Sequence, residues 1–262
     1  MDPSHLAPSA AAGAPGPAKR GPLDDGVAER QAPMDSSCLP ELGDKPAWRR
    51  LYRQRRRLAM AGLGESLRVT VSRELPALLG PRGRLGLYWP LGQEPDLRPL
   101  AALVPDRLAL PAVVGDPRDS KRQRLIYRAW QPGDPLPPDR CGIPAPAEGE
   151  PLPPEALALL LVPALAIDRQ GVRLGSGGGW YDRLRSDPRW RAVPSLVVLP
   201  AACCIARLPR EPWDIPFDGW ISEAGLQLRD RKHCNLLSEP CRTPADDAGL
   251  PGSQQLRPPP WI

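Results

Sequence analysis

Residues 173–183 read Arg-Leu-Gly-Ser-Gly-Gly-Gly-Trp-Tyr-Asp-Arg, with glycine at four of the five positions from Gly175 to Gly179. A backbone almost free of β-carbons can come close to a ligand and turn its N–H groups onto phosphate oxygens. Arg173 and Arg183 add positive charge, and Asp182 is a carboxylate that can hold a metal ion or cap the helix that follows. The chemistry this pattern suits is the binding of a phosphorylated ligand. A bare surface turn also uses glycine, but it needs neither the arginines nor the acid.

Two familiar phosphate loops do not fit. A Walker loop places Lys and then Ser or Thr after its last glycine, where this chain has Trp180 and Tyr181. A Rossmann fingerprint requires glycine at the position of Trp180. The loop's setting is nevertheless that of an α/β site. An apolar run at 157–166 suits a strand buried on both faces of a parallel sheet, with Pro163 near its end. Asp168 and Gly171 bound a turn, and a helix is expected from Trp180. Ligands of open α/β sheets lie beyond the carboxyl ends of the strands.

The remaining elements must carry this loop. Trp48, Leu51, Tyr52 and Leu58 recur at helical spacing, predicting a helix over 45–60. Lys45 and Arg49 share one of its faces, extended by Arg53 and Arg56. A second helix is expected over 65–79. Strands are expected at 84–89, 108–114, 125–130 (toward an edge), 195–199 and 218–222, with a short helix at 97–104. Strands alternating with helices imply an α/β fold: a mainly parallel sheet with helices on both faces, in a Rossmann-like three-layer architecture.

Composition bounds the rest. The chain has 262 residues, 38 of them proline, and a net charge of +5. Residues 1–43, rich in Ala, Pro and Gly, read as a disordered extension, and 227–262 as a C-terminal tail of similar character. The span 44–226, about 180 residues, is one domain's worth. His5 and His233 are the only histidines, both in those ends, which argues against a His-based triad or metal centre. Six cysteines without zinc spacing, and no secretory signal, read as reduced thiols and a cytoplasmic protein. The longest apolar run is too short to cross a bilayer. The arginine cluster at 49–57 leaves open a second reading, a non-catalytic RNA-binding protein, although no RRM, KH or helix-turn-helix pattern accompanies it.

Several separated motifs together resemble the 5-formyltetrahydrofolate cyclo-ligase (methenyltetrahydrofolate synthetase) family across about 45–225. They are Lys45-Pro46-Ala47-Trp48-Arg49; Tyr88-Trp89-Pro90 with Gly92-Gln93-Glu94-Pro95-Asp96; Leu110-Pro111; Trp130-Gln131-Pro132-Gly133; and Gly142-Ile143-Pro144-Ala145-Pro146. Val162-Pro163-Ala164-Leu165-Ala166-Ile167-Asp168 leads into the glycine loop, and Trp213-Asp214-Ile215-Pro216-Phe217-Asp218 closes the series. Ser176, Trp180 and Ala145 depart from the residues more usual in that family.

The resemblance implies ATP- and Mg2+-dependent cyclisation of 5-formyltetrahydrofolate to 5,10-methenyltetrahydrofolate, with release of ADP and phosphate. Another ATP-dependent ligase or kinase on the same scaffold is the alternative, since a fold does not fix a reaction. Carried onto this sequence, it implies ATP binding by Lys45, Arg49, Arg173, Leu174, Gly175, Ser176, Gly177, Gly178, Gly179, Trp180 and Tyr181. It implies folate binding by Leu91, Glu94 and Asp96 with Ser176, Gly177, Gly178, Gly179 and Trp180. Arg173 and Asp182 are expected to act in catalysis. Asp182 and Asp214 are expected to ligate magnesium, with Asp218 a competitor for the second place. The partners expected are small molecules, with no nucleic acid and no membrane, and a monomer is favoured.

Overall fold

The computed structural model describes residues 39–41 and 44–229, apart from 117, 120 and 121. Apart from 39–41, the extension expected at 1–43 lies outside the described residues, as does the tail expected at 227–262 beyond residue 229, although residues 227 and 228 of that tail stand in a strand. In chain order the elements are α1 (Lys45–Leu79), β1 (Arg84–Gly86), β2 (Leu108–Val114), β3 (Arg124–Trp130), β4 (Leu157–Pro163), β5 (Ala166–Asp168) and β6 (Arg173–Leu174), then α2 (Trp180–Ser186), α3 (Pro188–Ala192), β7 (Ser195–Val198), β8 (Cys204–Ile205), β9 (Gly219–Ser222) and β10 (Gly225–Leu228).

Seven strands form one sheet in the order β10-β9-β7-β4-β1-β2-β3. The pairings between β2 and β1, β1 and β4, β4 and β7, and β7 and β9 are parallel, while β3 and β10 are antiparallel edge strands. This is the mainly parallel α/β sheet that the alternating elements predict. It explains why β4 and β7 read as unbroken apolar runs: Leu159, Leu160, Leu161, Val162, Val197 and Val198 have no solvent-facing side. Successive residues feed two cores, one on each face. Val162 and Val197 belong to the first, and Leu161 and Val198 to the second.

Helix α1 corrects the expectation of two helices. It runs unbroken for 35 residues through Gly62 and Gly64. Its first half buries Trp48 and Tyr52 in one core, and its second half buries Leu67, Val71, Leu75 and Leu79 in the other. Each glycine costs about 1 kcal/mol against alanine. The two anchored ends outweigh that cost, so the middle stays helical. At its start the Asp44 carboxylate accepts from Ala47 N at 2.8 Å, an N-cap with Pro46 in the first turn.

Other differences are smaller. β1 stops at Gly86, and the helix expected at 97–104 is a 3-10 turn at Arg98–Ala102. A further strand, β10, follows the one at 219–222 and closes the sheet edge. A second, three-stranded sheet in the order β6-β5-β8 was not legible, because its strands have only two or three residues. Among the described residues no helix is long and apolar enough to cross a membrane.

Candidate functional site

The chain passes from β1 to β2 on one side and later returns through β4 on the other, so the strand order reverses between β1 and β4. The crevice beyond the carboxyl ends of such a pair is where open α/β sheets bind ligands. The segment after β1 carries Leu91, Glu94 and Asp96, and the segment after β4 carries the glycine loop.

The small sheet sets the loop. Asp168, 1% exposed, gathers three backbone donors. Its Oδ1 accepts from Gln170 N and Val172 N at 2.9 Å each, and its Oδ2 accepts from Leu208 N at 3.1 Å. Gly171 follows at φ +80, with Phe217 O only 2.5 Å from where a Cβ would stand. β6 then pairs antiparallel with β5 and delivers the chain into the loop. There Gly177 and Gly179 take φ +121 and +63, conformations that L side chains avoid. A Cβ at Gly178 would lie 2.6 Å from the Trp180 indole nitrogen.

Helix α1 grips the loop from outside. Arg49 Nε donates to Gly175 O at 3.2 Å, and Arg53 donates to Ser176 O at 3.1 Å. Arg56, one turn further, is buried. It donates to Ala164 O at 3.0 Å and faces Glu94 at 3.5 Å. Three arginines of the face seen in the sequence, Arg49, Arg53 and Arg56, are therefore turned to the site.

A cavity of about 830 Å3 opens between the loop, the start of α1 and the segment 209–218. Its lining holds eight basic side chains against four acidic ones, Asp182, Glu211, Asp214 and Asp218. Lys45, Arg49, Arg173, Leu174, Gly175, Gly177, Gly179, Asp182 and Asp214 all contribute to it. Lys45 Nζ donates to Asp214 Oδ2 at 2.8 Å, and the same oxygen accepts from Glu211 N at 2.7 Å.

Arg173 sits deeper than its sequence suggests. Its side chain is 6% exposed, donates to Pro163 O at 3.1 Å and faces Asp182 at 3.5 Å. Its guanidinium lies over the rings of Tyr181 and Phe217, at 5.0 and 5.4 Å. It binds the end of β4 to α2 as much as it faces the cavity. Burial pushes the Tyr181 hydroxyl up to about 12, so it stays neutral at neutral pH. Trp180 lies under the Arg183 guanidinium, 4.4 Å from ring centroid to carbon.

Leu91, Glu94 and Asp96 do not line this cavity. Glu94 is 8% exposed, and its Oε2 accepts from Leu91 N at 3.0 Å. Burial raises its pKa, against the lowering effects of the Leu91 N–H, Arg56 and Arg173. Asp96 turns the other way, onto Arg98 at 2.7 Å, and that hydrogen bond lowers its pKa. Only Glu94 of the two carboxylates thus sits within the field of Arg173 and Tyr181.

Asp218 is a framework group. It is 1% exposed and accepts from Ser195 N at 2.8 Å. Beside it Arg185, also 1% exposed, donates to Ser195 Oγ at 2.6 Å and to Pro216 O at 3.0 Å. Burial pulls the Arg185 pKa down to about 10, with Asp218 opposing the shift. Nothing in the spacing of Arg185 signals this role, since on the sequence it is one more arginine on a short helix.

A sequence model described as the 5-formyltetrahydrofolate cyclo-ligase family matches residues 82–223, more than half of the chain. A 5-formyltetrahydrofolate cyclo-ligase of Haemophilus influenzae is 34% identical over 96 residues, which cover 35% of this chain and 50% of that protein. The protein of the same name from Escherichia coli K12 is 38% identical over 73 residues, covering 27% and 39%. The matched stretches thus span half or less of these relatives. The solved structure of the Aquifex aeolicus 5,10-methenyltetrahydrofolate synthetase superposes with a TM-score of 0.54 at 29% identity, covering 69% of this chain and 94% of that one. With the glycine loop, the cationic cavity and the sheet order already in place, these matches lead to one conclusion: the chain belongs to the 5-formyltetrahydrofolate cyclo-ligase family.

Proposed function

We propose that this protein closes the ring of 5-formyltetrahydrofolate at the expense of ATP, giving 5,10-methenyltetrahydrofolate, ADP and phosphate. One observation carries the reading beyond family membership: a β-carbon-poor loop and two cations of α1 meet in one cavity with a two-to-one excess of basic over acidic side chains. A triphosphate is the ligand such a field favours.

A formyl amide is a poor electrophile. In the proposed reaction its oxygen attacks the γ-phosphorus and ADP leaves. N10 then attacks the formyl carbon and loses its proton, and the former formyl oxygen departs with phosphate. No nucleophilic side chain is required. The protein's share is to align the reactants and balance charge. Lys45 and Arg49 contact phosphate oxygens, and the 175–179 backbone supplies N–H donors. Arg173 holds the loop's first residues to α2 and adds its charge to the phosphate field. Leu91 and Trp180 cover the pterin, and Glu94 accepts from its amino groups.

Magnesium fits the carboxylates present. Asp182 and Asp214 line the same cavity, with side chains 24% and 12% exposed. Magnesium typically takes only one or two carboxylates beside phosphates and waters. Among the described residues no group of three or more His, Cys, Asp or Glu gathers as a closed metal cage. When bound, the ion would neutralise charge on the transferring phosphate.

The direct test mixes the protein with ATP, magnesium and 5-formyltetrahydrofolate and follows the methenyl chromophore. Appearance of the chromophore only when all three are present is the expected result. No turnover under conditions where both substrates bind would remove this reaction.

Glu94 also makes the reading pH-sensitive. The Glu94 carboxylate must be ionised to accept from the pterin, and Arg56 opposes the upward push of burial. Arg56→Met therefore moves the acid limb of the kcat/KM profile for the folate to higher pH, because the ionised form appears later. Tyr88, Tyr181 and Arg173 are the other titratable groups in its field and are unchanged in that variant. An acid limb that stays in place would exclude Glu94 as the group responsible.

A further inference from the structure

We propose that Trp213 is the platform on which the purine ring of the nucleotide stacks, and so the residue that distinguishes a nucleoside triphosphate from bare triphosphate. The inference rests on the nucleotide reading of the cavity and adds where the base lies. Trp213 is 66% exposed and joins neither apolar core. Among the described residues it is the one large exposed apolar side chain that also lines the cavity; Leu58, Val69, Leu91 and Leu103 do not.

Its backbone, by contrast, is fixed. Asp214 N donates to Glu211 O at 3.0 Å, which closes a turn over Pro212 and Trp213. The Asp214 carboxylate reaches back to Glu211 N at 2.7 Å and is itself held by Lys45 at 2.8 Å. Pro212 restricts φ at the turn's second position. A turn tied at both ends holds up an indole that packs in no core. That is the arrangement of a pre-set stacking surface, since little conformational freedom remains to be lost when a ring lands on it.

The surrounding wall agrees. Pro209, Pro212, Ile215 and Pro216 contribute apolar surface to the same cavity as the indole, whereas Lys45, Arg49 and the glycine loop supply the donors that phosphates need. A nucleoside triphosphate carries both kinds of surface. The pterin is the other flat ring in the reaction, but its candidate side-chain contacts Leu91, Glu94, Asp96 and Trp180 stand outside this cavity, which shares with it only the backbone of Gly177 and Gly179.

The test measures binding by calorimetry to the full chain, with a non-hydrolysable ATP analogue (AMP-PNP) and inorganic tripolyphosphate as probes. Base–aromatic stacking corresponds to roughly a fivefold to hundredfold change in affinity. Trp213→Ala should weaken AMP-PNP binding within that range and leave tripolyphosphate binding unchanged, and Trp213→Phe should recover most of the loss. Unchanged AMP-PNP affinity in the alanine variant, equal losses for both probes, or a loss confined to 5-formyltetrahydrofolate would overturn the assignment. If the wild type binds neither phosphate probe, the nucleotide reading itself falls and takes this inference with it.

Discussion

The Asp182→Asn variant will turn over about 10²–10³-fold more slowly than the wild type while unfolding at nearly the same denaturant concentration. The asparagine keeps the shape and the helical position of the side chain. In the proposed reaction it removes a formal charge that would help hold magnesium against the phosphates, so the loss falls on kcat and on the magnesium dependence together. The stability cost is small because Asp182 is 24% exposed and Arg173, its ion-pair partner among the described residues, lies at 3.5 Å. Arg173 also keeps its bond to Pro163 O and its contacts with the rings of Tyr181 and Phe217. The asparagine carbonyl oxygen can still face the buried Arg173 guanidinium, so the loss is about 1 kcal/mol, the difference between a charged and a neutral acceptor. Steady-state kinetics at several magnesium concentrations, beside urea unfolding, check both halves. Wild-type turnover would remove Asp182 from the mechanism, and a collapse in stability would make it a framework residue.

The largest stability effect is expected at Asp168. Asp168→Ala leaves the N–H groups of Gln170, Val172 and Leu208 without their acceptor. The residue is 1% exposed, so water does not replace it freely. An unsatisfied buried donor costs about 1–3 kcal/mol. With partial relaxation the sum is about 3–5 kcal/mol, at the upper end for a single substitution. Asp168→Asn should fall between, since one carbonyl oxygen can still serve the Gln170 and Val172 donors. Denaturant midpoints for the two variants test the order. Because this turn feeds β6 and the glycine loop, whatever Asp168→Ala protein remains folded should also bind nucleotide poorly. A stable, tightly binding Asp168→Ala would mean that the loop is set elsewhere.

These two acids illustrate how far sequence reasoning reaches. Asp182 is conspicuous because it follows a run of glycines and precedes an arginine. Asp168 reads only as a turn residue, and its third donor comes from Leu208, 40 positions away. The same split runs through the arginines. The spacing of Lys45, Arg49, Arg53 and Arg56 marks one helical face, and the structure does turn that face to the loop and to Glu94. No spacing rule says that Arg56 would be buried against Glu94, or that Arg185 would bond Ser195 and Pro216. Asp96 and Glu94 are two residues apart and chemically alike. Packing sends one to Arg56 and the other to Arg98.

The chain by itself determined the α/β class, the mainly parallel sheet implied by apolar runs alternating with helices, the glycine loop after the β4 run and the family. All of these depend on local pattern: periodicity, the conformational freedom of glycine and short motifs in a set order. The tertiary structure alone decided that α1 is one helix spanning both cores, that a small second sheet carries the loop, and that Arg173 is buried between aromatic rings. It also decided which carboxylates face the cavity. Those outcomes rest on contacts between residues far apart in the chain, where burial and competition for hydrogen-bond partners override what any single segment prefers.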